Sequence, residues 1–151
     1  MMNPTVHLKP RTELNSSLPL RLGSWMVVFF WAASVFWLSS MSGARIEELN
    51  VVRLWDKAAH FLAFAGGAFF LCLALRFNTG WSGKRAFLAA VAAISCFGAT
   101  DEWHQMFTAR RSGADLGDWT ADTLGAIAGA AVATLVYVRT QRKNSPAPRG
   151  D

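Results

Sequence analysis

Long stretches of this chain lack charge. Residues 22–41 hold no ionisable side chain in 20 positions, residues 58–77 hold only His60 and Arg76, and residues 119–138 hold only Asp122. An α-helix rises 1.5 Å per residue, so each run reaches across a hydrocarbon core of about 30 Å. Residues 86–100 add 15 uncharged positions, and a helix there must continue through Asp101 and Glu102 to span. A polar face on the helical period is missing too: Trp25 to Trp31 is apolar all round, which argues against a water-soluble bundle. Cysteine is scarce. Cys72 and Cys96 both lie inside apolar runs, where a small thiol packs, and they supply neither a disulfide framework nor a thiolate metal motif. The three histidines form no H-x-x-x-H or H-E-x-x-H spacing, and no glycine-rich phosphate loop or activated serine is present.

These absences lead to an all-α fold, a membrane-embedded bundle of four transmembrane helices at about 22–41, 58–77, 86–107 and 119–138. Residues 1–21, with Pro4, Pro10 and Pro19, read as a disordered cytoplasmic tail, and residues 139–151 as a basic cytoplasmic tail. The aromatics of the first run, Trp25, Phe29, Phe30, Trp31, Phe36 and Trp37, are expected to face lipid. Residues 44–55 read as a mixed-charge loop with a short surface helix. Ala121, Gly125, Gly129 and Ala133 recur every four residues and form a flat ridge that admits another helix, from this chain or from a partner protein.

Orientation follows from where lysine and arginine fall in the short loops. The two tails and the turn between the second and third runs carry ten of the fifteen basic residues and two of the ten acids. Formal charge is therefore +8 at that end and −3 at the other, which together give the net +5. Both termini are expected in the cytoplasm. The pI of about 9.9 then reflects anchoring to anionic membrane lipid and calls for no nucleic acid.

Polar residues gather between the apolar runs. Residues 101–122 contain five carboxylates, two arginines, a histidine and a glutamine, and Asp56-Lys57-Ala58-Ala59-His60 opens the second run. Four antiparallel helices bring both clusters to the outer end. Asp56 and His60 are four apart, Glu102 and Gln105 three, and Asp118 and Asp122 four, so each pair shares a helix face. Charge inside a membrane is costly and must be paired or functional. His60, Glu102 and Asp122 fall within their apolar runs and are the candidate catalytic centre. Asp56, Lys57, Gln105, Arg111 and Asp118 are candidate ligand-binding residues.

Three chemistries fit these residues. They could form a buried ion-pair network that fixes helix register. His60 and Glu102 could act as general acid and base at a water-accessible membrane surface, with a metal ion left open and no cofactor identified. Arg110, Arg111 and Lys57 could instead bind an anionic headgroup or a carboxylate. His104, beside Trp103, reads as an interfacial residue.

Taken in order, four segments resemble the VanZ-like family of small bacterial membrane proteins. They are Ser-Ser-Met-Ser at 39–42, Asp-Lys-Ala-Ala-His-Phe-Leu-Ala-Phe at 56–64, Phe-Gly-Ala-Thr-Asp-Glu-Trp-His-Gln-Met-Phe at 97–107, and Asp-Trp-Thr-Ala-Asp-Thr-Leu-Gly-Ala-Ile-Ala-Gly at 118–129. The resemblance marks Asp56, Lys57, His60, Glu102, Gln105 and Asp118 as family positions, with Asp122 where relatives carry Asn or Asp. The loop after Gln105 departs from the family's Pro-Gly-Arg-like turn, so the site arginine is Arg110 or Arg111, with Arg111 preferred. The family takes its name from a protein associated with low-level resistance to the glycopeptide teicoplanin. For this chain it implies a cell-envelope membrane protein whose partner is a membrane lipid, a lipid-linked envelope precursor or a glycopeptide.

Overall fold

The computed structural model describes residues 18–48, 56–111 and 113–144, and the expected tail residues 1–17 and 145–151 lie outside them. Helix accounts for 87% of the described residues and strand for none, which makes the fold all-α. The elements are α1 (Leu18–Ser39), α2 (Gly43–Glu48), α3 (Asp56–Thr79), α4 (Gly83–Gln105) and α5 (Leu116–Asn144). Four of them, all except the short α2, are long and apolar enough to cross a membrane.

The helix ends differ from the apolar runs for local reasons. α1 starts before residue 22 because Pro19 sits in its first turn, where the missing N–H would have no intrahelical partner anyway. α3 stops at Gly80, whose φ of 64° is a left-handed conformation that glycine adopts without cost. α4 begins after the N-cap Ser82, whose hydroxyl accepts from the Arg85 N–H at 3.3 Å. α5 runs past residue 138 to Asn144, with Arg142 and Lys143 in its last turn beside the negative end of the helix dipole.

The four long helices alternate in direction. At one end the start of α1 meets the end of α3, where Arg21 donates to Asn78 Oδ1 at 3.3 Å. At the other end the loop after α4 folds back over α1, with Thr108 donating to the Ser39 carbonyl and Gly43 N–H to the Ala109 carbonyl. α3 touches α1, α4 and α5, and its pairing with α5 is the most extensive. That pairing depends on the small-residue ridge. A Cβ on Gly125 would overlap the Phe61 carbonyl oxygen, and one on Gly129 the Ala65 carbonyl oxygen. Gly125 and Gly129 of that ridge therefore lie against α3 of the same chain. α1 is the opposite case, with Trp25, Met26, Phe29, Phe30 and Trp37 exposed as membrane-facing surface.

Trp31 departs from the lipid-facing set. It turns inward, donates from Nε1 to the Ala63 carbonyl at 2.8 Å, and packs at 5.8 Å from Phe64 and 5.2 Å from Phe97. Gly67 makes room for it, since a Cβ there would collide with the indole. This aromatic layer adjoins the polar end of the bundle, with the His60 ring 6.2 Å from Phe64. Beyond it the core is small and apolar, built from Ala68, Cys72, Ala86, Ala90, Ala126, Ala130 and Ala133.

Candidate functional site

Apart from Tyr137, whose buried hydroxyl lies at the opposite end, the buried polar and charged side chains among the described residues lie at one end of the bundle. They are Ser39, Asp101, Glu102, Gln105, Asp118 and Asp122. Helical periodicity puts them there: Asp118 and Asp122 occupy one face of α5, the face that continues into Gly125 and Gly129. Asp122 is completely buried, and its Oδ1 lies 2.9 Å from His60 Nδ1 on α3. With Asp122 ionised and His60 neutral, Nδ1–H donates to the carboxylate and the acceptor lone pair of the imidazole is on Nε2. A Cβ at position 98 would fall 2.7 Å from Asp122 Oδ2, so Gly98 on α4 is what lets the carboxylate fit.

Glu102 is 4% exposed and is held by the loop preceding α5. Its Oε2 accepts the Asp115 N–H at 2.8 Å and its carbonyl accepts the Ala114 N–H at 3.3 Å. Ala114 reaches this position in a left-handed conformation, φ 62°, which costs an L-residue roughly 1–2 kcal/mol. Glu102 Oε1 is buried without a hydrogen-bond partner. Lys57 closes the outer rim, donating to Asp118 at 2.7 Å and Asp115 at 3.4 Å. The Gly117 N–H, at 2.7 Å from Asp115 Oδ1, and then the Lys57 ammonium hold the Asp115 carboxyl below the usual carboxylate range.

Two cavities flank the cluster. One of about 300 Å³ lies between the end of α4 and the start of α5, with walls from Trp103, Met106, Leu116 and Trp119 and with Glu102 and Asp115 as its acids. The other, about 180 Å³, is lined by His60, Asp101, Arg111, Ser39 and Ile46 among others. Adjacent residues on a helix point about 100° apart, and Asp101 and Glu102 therefore open into different cavities.

The fold thus brings His60, Glu102, Asp118 and Asp122 together, with Lys57 at the rim. Gln105 is buried at the same end, but its amide donates to Asp101 at 2.9 Å and so braces a neighbouring acid. Arg111 lines the smaller cavity with its Nε unpartnered, whereas Arg110 is exposed in a left-handed turn, φ 58°. Asp56 starts α3, and its side chain lies outside the described residues. His104 stacks on Phe36 at 4.8 Å and meets Ser40 Oγ at 3.1 Å, a helix-to-helix contact away from the cluster. Sequence reasoning gave no site role to Asp101, Asp115 or Gly98. The spacing Asp101 to Gln105 signalled the first, but nothing local to residue 98 signals what α5 places against it.

A family model described as VanZ/LLP1 matches residues 13–137. The chain belongs to the VanZ-like family. No curated protein and no solved structure matches the chain. The VanZ-like match takes in all four spanning helices up to residue 137, and with them every residue of the polar end.

Proposed function

We propose that this VanZ-like protein recognises an amphiphile of the bacterial cell envelope, a lipid or lipid-linked precursor, at the polar end of the bundle. One observation carries the reading: an apolar, tryptophan-walled cavity of about 300 Å³ opens onto buried Glu102 within a membrane-spanning helix. Such a cavity suits a chain, while the adjoining polar groups suit a headgroup. Lys57, at the rim on Asp115 and Asp118, supplies a cation for an anionic oxygen, Arg111 supplies another in the smaller cavity, and the buried acids accept from hydroxyls or amines. The excess of lysine and arginine at the opposite end supports an outward-facing site in the cytoplasmic membrane, with both termini inside. A glycopeptide is the other ligand the family suggests, and resistance would follow from competition at the same envelope surface.

The test is native-lipid purification followed by mass spectrometry of bound small molecules, comparing the parent protein with folded Glu102→Gln and His60→Ala variants. A discrete lipid or precursor retained by the parent and lost from both variants supports recognition. Identical bulk lipid in all three would end it.

A second reading draws on the His60–Asp122 pair. A carboxylate that fixes the tautomer of an imidazole beside a second carboxylate is an acid–base arrangement, and it would turn the bound amphiphile over. Altered masses of the co-purified molecule, present with the parent and absent with His60→Ala, distinguish it.

A further inference from the structure

We propose that His60, Glu102 and Asp118 form a binding site for one divalent transition-metal ion. Each comes from a different helix, and one donor atom from each lies within 4.8 Å of the other two. A tetrahedral ion with ligands at about 2.0–2.1 Å sets its donors roughly 3.4 Å apart, a closure that side-chain rotation of Glu and Asp supplies. Proximity of acids alone would be weak support, because exposed carboxylates cluster without metals. These are not exposed: Glu102 is 4% and Asp118 5% accessible.

An independent observation points to a cation. Glu102 Oε1 is buried and has no hydrogen-bond partner, although Oε2 of the same carboxylate is satisfied by the Asp115 N–H. A buried carboxylate oxygen without a donor is unfavourable unless a cation meets it or the group takes up a proton, and of the two such oxygens here, Glu102 Oε1 and Asp122 Oδ2, only the first belongs to this three-residue group. The imidazole is prepared in the same sense. Asp122 Oδ1, 2.9 Å from His60 Nδ1, is the outer carboxylate that metal-ligating histidines commonly have, and with Nδ1 engaged there Nε2 is the nitrogen that would ligate.

The donor set also selects the ion. One imidazole with two carboxylates suits a borderline ion such as Zn²⁺ or Co²⁺, whereas Mg²⁺ favours oxygen alone and Cu⁺ favours sulfur. Three protein ligands leave a coordination position for water or for an anionic oxygen of a headgroup. Lys57 is the competitor, because its ammonium takes Asp118 Oδ1 at 2.7 Å. Its side chain is 58% exposed, so the flexible stem can carry the charge outward when a metal enters.

The test uses the full chain in lipid nanodiscs, with any affinity tag removed, stripped with chelator and titrated with Co²⁺, then Zn²⁺. Visible absorption reports Co²⁺ coordination, and elemental mass spectrometry after desalting reports stoichiometry. The expected result is one Co²⁺ per chain, displaced by Zn²⁺, with affinity at least tenfold weaker in Glu102→Gln and Asp118→Asn. Lys57→Gln is expected to bind more tightly than the parent, which a purely structural ion-pair network would not do. A parent protein that shows no Co²⁺ absorption and desalts free of metal overturns the proposal, as do carboxylate variants that bind like the parent. Should those variants fail to assemble, the parent stoichiometry and the direction of the Lys57→Gln change decide it. Metal binding is read without any lipid ligand, so loss of the co-purifying amphiphile and loss of the ion remain separate results.

Discussion

Both ends of this bundle carry charge, but they hold it differently. At the end where α3 meets α4, charge stays at the rim: the Arg76 guanidinium lies 4.2 Å over the Tyr137 ring and donates to the Trp81 carbonyl, while Lys84 and Arg85 are exposed. At the opposite end four carboxylates are within 5% of full burial, backed by an aromatic layer. A long basic side chain reaches water from a membrane edge at little cost, whereas a short carboxylate placed inside a helix contact cannot. The rim charges therefore anchor, and the buried ones have to be matched by partners. That matching is incomplete at Glu102 Oε1, Arg111 Nε and Asp122 Oδ2.

Four changes would test the contrast, in decreasing order of effect. Gly129→Leu should abolish the monodisperse bundle in size-exclusion chromatography, because the new side chain starts inside the Ala65 carbonyl and separates α5 from α3. A folded, normally melting Gly129→Leu protein would mean that the seam between the two ends is not what holds the acids in place. His60→Ala should cost about 3–5 kcal/mol in equilibrium unfolding, since Asp122 loses the partner of a buried pair. Adding Asp122→Ala should recover a substantial part of that loss, as removing both members of a pair costs less than removing one.

At the rim, Arg76→Leu should cost only about 0.5–1 kcal/mol, the worth of an exposed cation–π contact. An equal cost for His60→Ala and Arg76→Leu would erase the distinction drawn between the ends. Ala114→Gly is expected to stabilise slightly, by about 0.5–1 kcal/mol. Relief of a left-handed L-residue, worth roughly 1–2 kcal/mol, exceeds the entropy cost of glycine, roughly 0.5–1 kcal/mol. A loss of stability there would show that the loop beneath Glu102 is not strained.

The fold class was readable because hydropathy is a local property: uncharged runs of 20 residues need no partner to be recognised as spans. Their ends were less so. Pro19 looked like a tail residue, and only its place in the first helical turn makes it part of α1. The face of α5 was legible from the spacing of Asp118, Asp122, Gly125 and Gly129, a period that geometry translates directly. Trp31 was not separable from Phe30 or Trp25 by composition. Its inward turn depends on Gly67 and the Ala63 carbonyl, which belong to another helix.

The sequence alone determined four spans, the charge imbalance between the ends, and the set of polar residues that share one end, since each rests on length, sign or helical period. Tertiary structure decided which of those polar groups meet. Asp122 faces His60 and leaves room only because position 98 is glycine, and Asp101 and Glu102, neighbours in the chain, serve separate cavities. The physical reason is that a helix fixes which way a side chain points, but its partner is set by the rotation and closeness of other helices. Here those are governed by two glycines of α5 against the backbone of α3.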